Sequence, residues 1–119
     1  MSNIPETLEQ LLKTDGAMCA ALVDSSSGML LGKAGGGLDL DVAAAGNTEV
    51  VRAKLKTIKA LGLDDSIDDI LITLSSQYHI IRPLGHTPEV FLYLVLDVAK
   101  SNLALARINV KKADGSLEL

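Results

Sequence analysis

With 119 residues, 48% of them hydrophobic and 22% charged, the chain is too apolar for a disordered segment and long enough for one domain with its own core. A net charge of −4 and a sequence pI near 5.0 argue against the basic surface that nucleic-acid binding needs, and aromatics at 3% leave no stacking platform for single strands. The lone cysteine, Cys19, excludes an internal disulfide framework and a zinc quartet and suits a reducing cytoplasm.

In chain order, Met1 to Glu6 has neither a basic start nor an apolar run, so no signal peptide is read there. No apolar run approaches the roughly 20 residues of a spanning helix, and the expectation is a cytoplasmic protein without direct membrane insertion. Asn3, Pro5 and Glu6 form a helix start with Asn3 as cap. Ile4, Leu8, Leu11 and Leu12 make its apolar stripe, and Asp15-Gly16 ends it. Ala17 to Val23 reads as a strand, Asp24 to Gly28 as a turn, and Met29 to Lys33 as the return strand of a hairpin. Gly35-Gly36-Gly37 is a flexible joint.

Leu38 or Asp39 to Leu61 reads as the longest helix, stopped by Gly62. Its stripe is Leu40, Ala44, Val51, Leu55 and Ile58, and a second strip holds Ala43, Val50 and Leu61. Gly46, Ala53 and Ala60 recur at seven-residue spacing and permit close approach of another helix. Asp64 to Asp69 is an acidic connection. Asp69 or Ile70 to Leu74 and Tyr78 to Leu84 are strands separated by Ser75-Ser76-Gln77, with Pro83 marking an end or an unpaired side. Gly85 to Glu89 is a polar loop.

Val90 to Leu96 is apolar at every position, which predicts a mid-sheet strand covered on both faces. Asp97 is the expected N-cap of a helix whose buried face is Ala99, Leu103, Ala106 and Val110. Leu105 and Ile108 lie on a second flank, expected to touch another helix. Lys111 to Leu119 reads as a frayed tail. With no repeat and no boundary, residues 1–119 read as one α+β domain of three layers, α/β/α, around a mainly antiparallel sheet.

Ile70 to Leu74 carries no charge, and at a sheet edge such a strand invites pairing. The apolar arc of the long helix is also wider than one sheet contact requires. Both excesses predict a two-fold homodimer through Val50, Ala53, Lys54, Thr57 and Leu61 of the helix and Ile70, Leu71, Ile72, Thr73 and Leu74 of the strand.

Chemistry is sparse. Gly35-Gly36-Gly37 lacks both the lysine-serine/threonine ending of a P-loop and the dinucleotide fingerprint. Ser25, Ser26 and Ser27 sit in a turn without a nucleophile elbow. Cys19 reads as a buried small hydrophobe. His79 and His86 form no ligand cluster, and Asp64, Asp65, Asp68 and Asp69 lack the calcium-loop spacing. No catalytic residue, cofactor or metal is expected. Arg52, Lys56 and Lys59 form the basic strip and the expected contact for an acidic protein partner.

The order of elements resembles the Roadblock family of dynein-light-chain-like domains. Gly16 to Met29 (GAMCAALVDSSSGM) is similar to that family's first hairpin. Ile70 to Leu74 followed by Tyr78 to Leu84 resembles its third and fourth strands. Phe91 to Asp97 with Asn102 to Arg107 resembles its last strand and helix in bacterial members. The resemblance implies a five-stranded antiparallel sheet in the order 2-1-5-4-3, of the profilin/longin kind. It implies a homodimer through the third strand and second helix, and no enzymatic activity of its own. It further implies a regulator or scaffold for a small Ras-like GTPase. The alternative is a sensory module binding a small molecule between sheet and helix, against which the plain aliphatic interior argues.

Overall fold

The computed structural model describes residues 3–119; Met1 and Ser2, where the leader reading began, lie outside them. The elements are α1 (Ile4–Leu11), β1 (Ala17–Asp24), β2 (Met29–Gly35), α2 (Leu40–Ala60), β3 (Ile70–Thr73), β4 (Gln77–Pro83), β5 (Val90–Asp97), a 3-10 turn (Val98–Lys100) and α3 (Leu103–Ser116). The strands make one antiparallel sheet in the order β2-β1-β5-β4-β3.

β5 is central and buried at every residue from Val90 to Leu96, as a strand with apolar side chains on both faces must be. Alternation divides those side chains between two cores. Leu92, Leu94 and Leu96 point, with Ala20 and Leu22 of β1 and Ile80 of β4, toward Leu8 and Leu11 of α1 and Ala106, Val110 and Ala113 of α3. Phe91, Tyr93 and Val95 point, with Cys19, Ala21, Val23 and Ile81, toward Leu40, Ala44 and Val51 of α2. The result is helices α1 and α3 on one face and α2 on the other, the three layers expected. Gly32 lets α1 dock closely, since a Cβ there would stand 2.5 Å from the Ile4 Cγ2.

Several local expectations are corrected. Asn3 does not cap α1 with its side chain. Its amide instead donates to the Ser116 carbonyl and its Oδ1 accepts from the Glu118 N–H, tying the two ends of the described chain together. α1 stops at Leu11, well before Asp15-Gly16. Asp97 caps only the 3-10 turn, accepting from the Ala99 N–H. The chain then extends through Ser101, and a second cap, Asn102, accepts from the Leu105 N–H to start α3. Ala99 is therefore exposed rather than on the buried face.

The frayed tail from Lys111 is likewise overturned. α3 continues to Ser116 because Ala113 enters the core and Asp114 reaches Arg82 of β4, Oδ2 to Nε 2.8 Å. The side chains of Arg82 and Asp114 are 17% and 9% exposed. Leu105 and Ile108, expected against another helix, are exposed.

Candidate functional site

α2 has 21 residues, or about 32 Å at about 1.5 Å each, whereas an eight-residue strand such as β1 spans about 26 Å. The helix outruns the sheet. Asp39 starts it by accepting from the Asp41 and Val42 N–H groups, and it packs on β1 and β2. Its buried residues, Leu40, Ala44, Thr48 and Val51, end at mid-length. Leu55 and Ile58, expected on the buried stripe, are exposed and half-buried. Leu61 and Leu63 beyond them stand 65% and 53% exposed. Val50, Ala53, Lys54 and Thr57 are exposed as well, with the Thr57 hydroxyl donating back to the Ala53 carbonyl.

β3 is an edge strand with β4 on one side and, among the described residues, no strand on the other. Ile70 and Ile72 face the α2 side and Leu71 the α1/α3 side. All three are half-buried, and Thr73 and Leu74 are exposed. The other edge, β2, differs in kind. The β1 pairing shifts register between Leu22 and Val23, opposite Gly32 and Leu30, so Leu31 is bulged out and exposed. Lys33 follows, 3.9 Å from Asp41. A bulge and a lysine spoil an edge for further pairing, whereas β3 offers a flat aliphatic one.

Because α2 sits over the β1–β2 side, the α2 face of β3 and β4 is covered only in part. His79 lies there, paired in register with Ile72 of β3. Its Nδ1 is 2.8 Å from the Tyr93 Oη, and its Nε2 is 2.9 Å from the Gln77 Oε1. Burial holds the imidazole pKa below its ordinary value. Burial also raises the Tyr93 phenol, against a smaller opposing effect of its hydrogen bond with Asn47 of α2. A cleft of about 340 Å³ opens above this pair, bounded by Val42, Ala43, Gly46 and Asn47. The sequence signal for it is a lone phenol in an otherwise aliphatic strand, with a histidine in the neighbouring strand, and the reading of motifs above misses it.

The basic strip is not uniform. The Arg52 Nη2 donates to the Ser25 and Ser26 carbonyls, at 2.9 Å for Ser26, so it braces the β1–β2 turn. Lys56 and Lys59 are exposed, with no ion pair among the described residues. In the acidic connection, Asp69 accepts twice from Arg107 of α3, and the Asp68 carbonyl accepts from Arg82. Cys19 is buried, and burial raises its thiol pKa, the opposite of what a nucleophile needs. The described residues contain no cluster of metal-ligating side chains, and no helix among them is long and apolar enough to cross a membrane. A groove of about 490 Å³ also runs between α1 and α3, over Thr7, Leu11, Thr14 and Ala113.

No protein-family model matches the sequence, and no curated protein matches it either. Solved structures do match in shape. Myxococcus xanthus MglB superposes with a TM-score of 0.83 at 24% identity, over 94% of this chain and 89% of that one. A Roadblock/LC7 domain from Streptomyces avermitilis gives 0.81 at 15% identity, over 93% and 91%. The gliding protein MglB from Thermus thermophilus gives 0.76 at 23% identity, over 92% and 81%. Three helices, a 2-1-5-4-3 sheet and these superpositions agree: the chain has the Roadblock/LC7 fold.

Proposed function

We propose that the protein is a Roadblock-type regulator or scaffold without catalytic activity, which pairs with a second copy of itself and binds a small Ras-like GTPase. The observations that carry this reading are the β3 edge, which has no strand on its outer side among the described residues, and an α2 flank that the sheet leaves uncovered. Edge pairing of two β3 strands would satisfy the free backbone groups and bury Ile70, Leu71 and Ile72. It would bring Val50, Ala53, Lys54, Thr57 and Leu61 of the two α2 helices toward one another. The contrast with the bulged β2 edge supports pairing through β3 alone.

Lys56 and Lys59 lie on the opposite flank of α2 and stay accessible in such a pair, so they are the proposed contacts for the GTPase. Arg52 shares their face, but its link to the hairpin turn gives it a bracing role as well. A protein of this kind would act by holding the switch loops of its partner in one arrangement, a population shift rather than chemistry of its own.

Sedimentation of wild type and Ile72→Lys tests the pairing: a dimer at micromolar concentration is expected, and a monomer for the variant. An Ile72→Lys dimer of undiminished affinity would rule out pairing through β3. Co-purification with a small GTPase encoded alongside, and its turnover with and without added protein, test the second half. The sensory reading draws on the cleft above His79 and Tyr93, and a metabolite thermal-shift screen separates it, because a true ligand raises the melting point.

A further inference from the structure

The hydrogen bonds around His79 define its proton. The Gln77 amide nitrogen lies 3.8 Å from the Met18 sulfur, which leaves the amide oxygen facing the His79 Nε2. Nε2 therefore carries the hydrogen and donates it. Nδ1 is then the acceptor, and it takes the Tyr93 hydroxyl proton. In this arrangement both ring nitrogens of the neutral imidazole are matched, with the phenol as donor to Nδ1. A second proton, on Nδ1, would meet the phenol hydrogen head on and force it to turn away.

The groups that bond the ring, Gln77 and Tyr93, are uncharged, and the carboxylate that lines the same cleft, Asp39, caps α2. From β5 comes the Tyr93 phenol and from β1 the buried Cys19 thiol, both raised in pKa by burial and so neutral. α2 contributes Ala43, Gly46 and the neutral Asn47 amide, with Asp39 at the mouth of the cleft, its carboxylate already accepting two helix N–H groups. β3 contributes Ile72 and β4 contributes Gln77. The cleft above the ring is open, so water can reach and solvate a charged ring there.

We propose that His79 is a proton-operated gate on self-pairing: the neutral imidazole permits closure of the cleft by a partner α2, and protonation opens the pair. The inference rests on pairing through β3 and α2, because only there does a second copy cover this face. Closure removes the water that a cationic ring would need, so the paired form binds the proton more weakly than the free protomer. Pairing is then fully favourable above the free protomer's imidazole pKa and is lost as pH falls below it. With one histidine from each copy, the dissociation constant can rise up to about a hundredfold per pH unit.

Sedimentation equilibrium of the full chain at pH 7.5 and 5.5, for wild type and His79→Gln, provides the test, with circular dichroism confirming the fold at each pH. Gln keeps hydrogen bonding and cannot become cationic. The expected result is a dissociation constant that rises at least about tenfold at pH 5.5 for wild type, with no such rise for His79→Gln. A wild-type dimer with a flat profile, or the same rise in both proteins, overturns the gate and leaves the pairing standing. A wild-type monomer at pH 7.5 overturns the pairing and the gate together.

Discussion

Asp114→Ala is expected to cost far more than the loss of a surface charge, because Asp114 sits at the junction of α3, β4 and the loop after it. Its carboxylate accepts from Arg82 Nε at 2.8 Å and from the Gly85 N–H at 3.2 and 3.3 Å. With the Arg82 side chain 17% exposed, removal of the acid leaves a mostly buried cation whose remaining acceptor among the described residues is the Asp68 carbonyl at 3.2 Å. Breaking a buried pair from one side costs about 3–5 kcal/mol. The residual exposure of Arg82 argues for the lower end, about 3 kcal/mol, a large share of a stability of about 5–15 kcal/mol. With a urea slope of about 1–3 kcal/mol per molar, the unfolding midpoint should fall by at least about 1 M. Arg82→Met/Asp114→Leu removes both charges and should recover most of the loss. A loss below about 1 kcal/mol for Asp114→Ala, the range of exposed pairs, would refute the reasoning and return residues after Lys111 to a frayed tail.

Three further outcomes follow from other parts of the molecule. Leu94→Ala, at a fully buried position of β5, should cost about 2–5 kcal/mol by urea unfolding; a cost under about 1 kcal/mol would contradict a centre packed on both faces. Gly32→Val should destabilise by about 1–3 kcal/mol, since the first added atom already meets Ile4 Cγ2 at 2.5 Å and Leu8 Cδ1 at 3.1 Å; hydrogen exchange should show α1 loosened selectively. Lys56→Glu/Lys59→Glu should slow association with a small GTPase about tenfold at low salt and leave sedimentation unchanged; equal association rates would remove the basic strip from the interface.

Which features are legible in the sequence depends on whether a signal is local. β5 announces itself because seven consecutive apolar residues have no solvent face, and Gly62 ends the long helix through its own left-handed backbone, φ 70°. The start of α3 is harder. Asp97 and Asn102 are both good caps, and the choice is made by the 3-10 turn that Asp97 stabilises first. The tail is illegible for a different reason. Asp114 and Gly115 look like helix breakers, and the residue that retains that last turn, Arg82, lies 32 positions away. Arg52 misleads likewise, since its acceptors are backbone carbonyls in a turn 26 and 27 residues earlier, which no side-chain pattern marks. His79 and Tyr93 become a pair only when β4 and β5 are placed in register.

The two edges of the sheet carry the consequence for assembly. A sheet with two flat, aliphatic edges would pair head to tail and grow into a filament, because each added copy would offer a fresh edge. One flat edge can meet only another like itself, around a two-fold axis, and growth stops at two. β2 meets the first requirement of that arrangement: Leu31 is bulged out of register and Lys33 places a charge on the strand, 3.9 Å from Asp41 of α2. β3 meets the second with Ile70, Leu71 and Ile72 uncharged and half-buried. α2 lies on the same side of the sheet as Ile70 and Ile72, so in a β3-to-β3 pair the α2 helices of the two copies would lie on one face of the joined sheet. Straightening β2 by deleting Leu31, with Lys33→Val, would present two edges of the same kind. Such a variant should scatter light and sediment as a broad series, and if it stays the size of wild type, the bulge and the lysine are not what closes that edge.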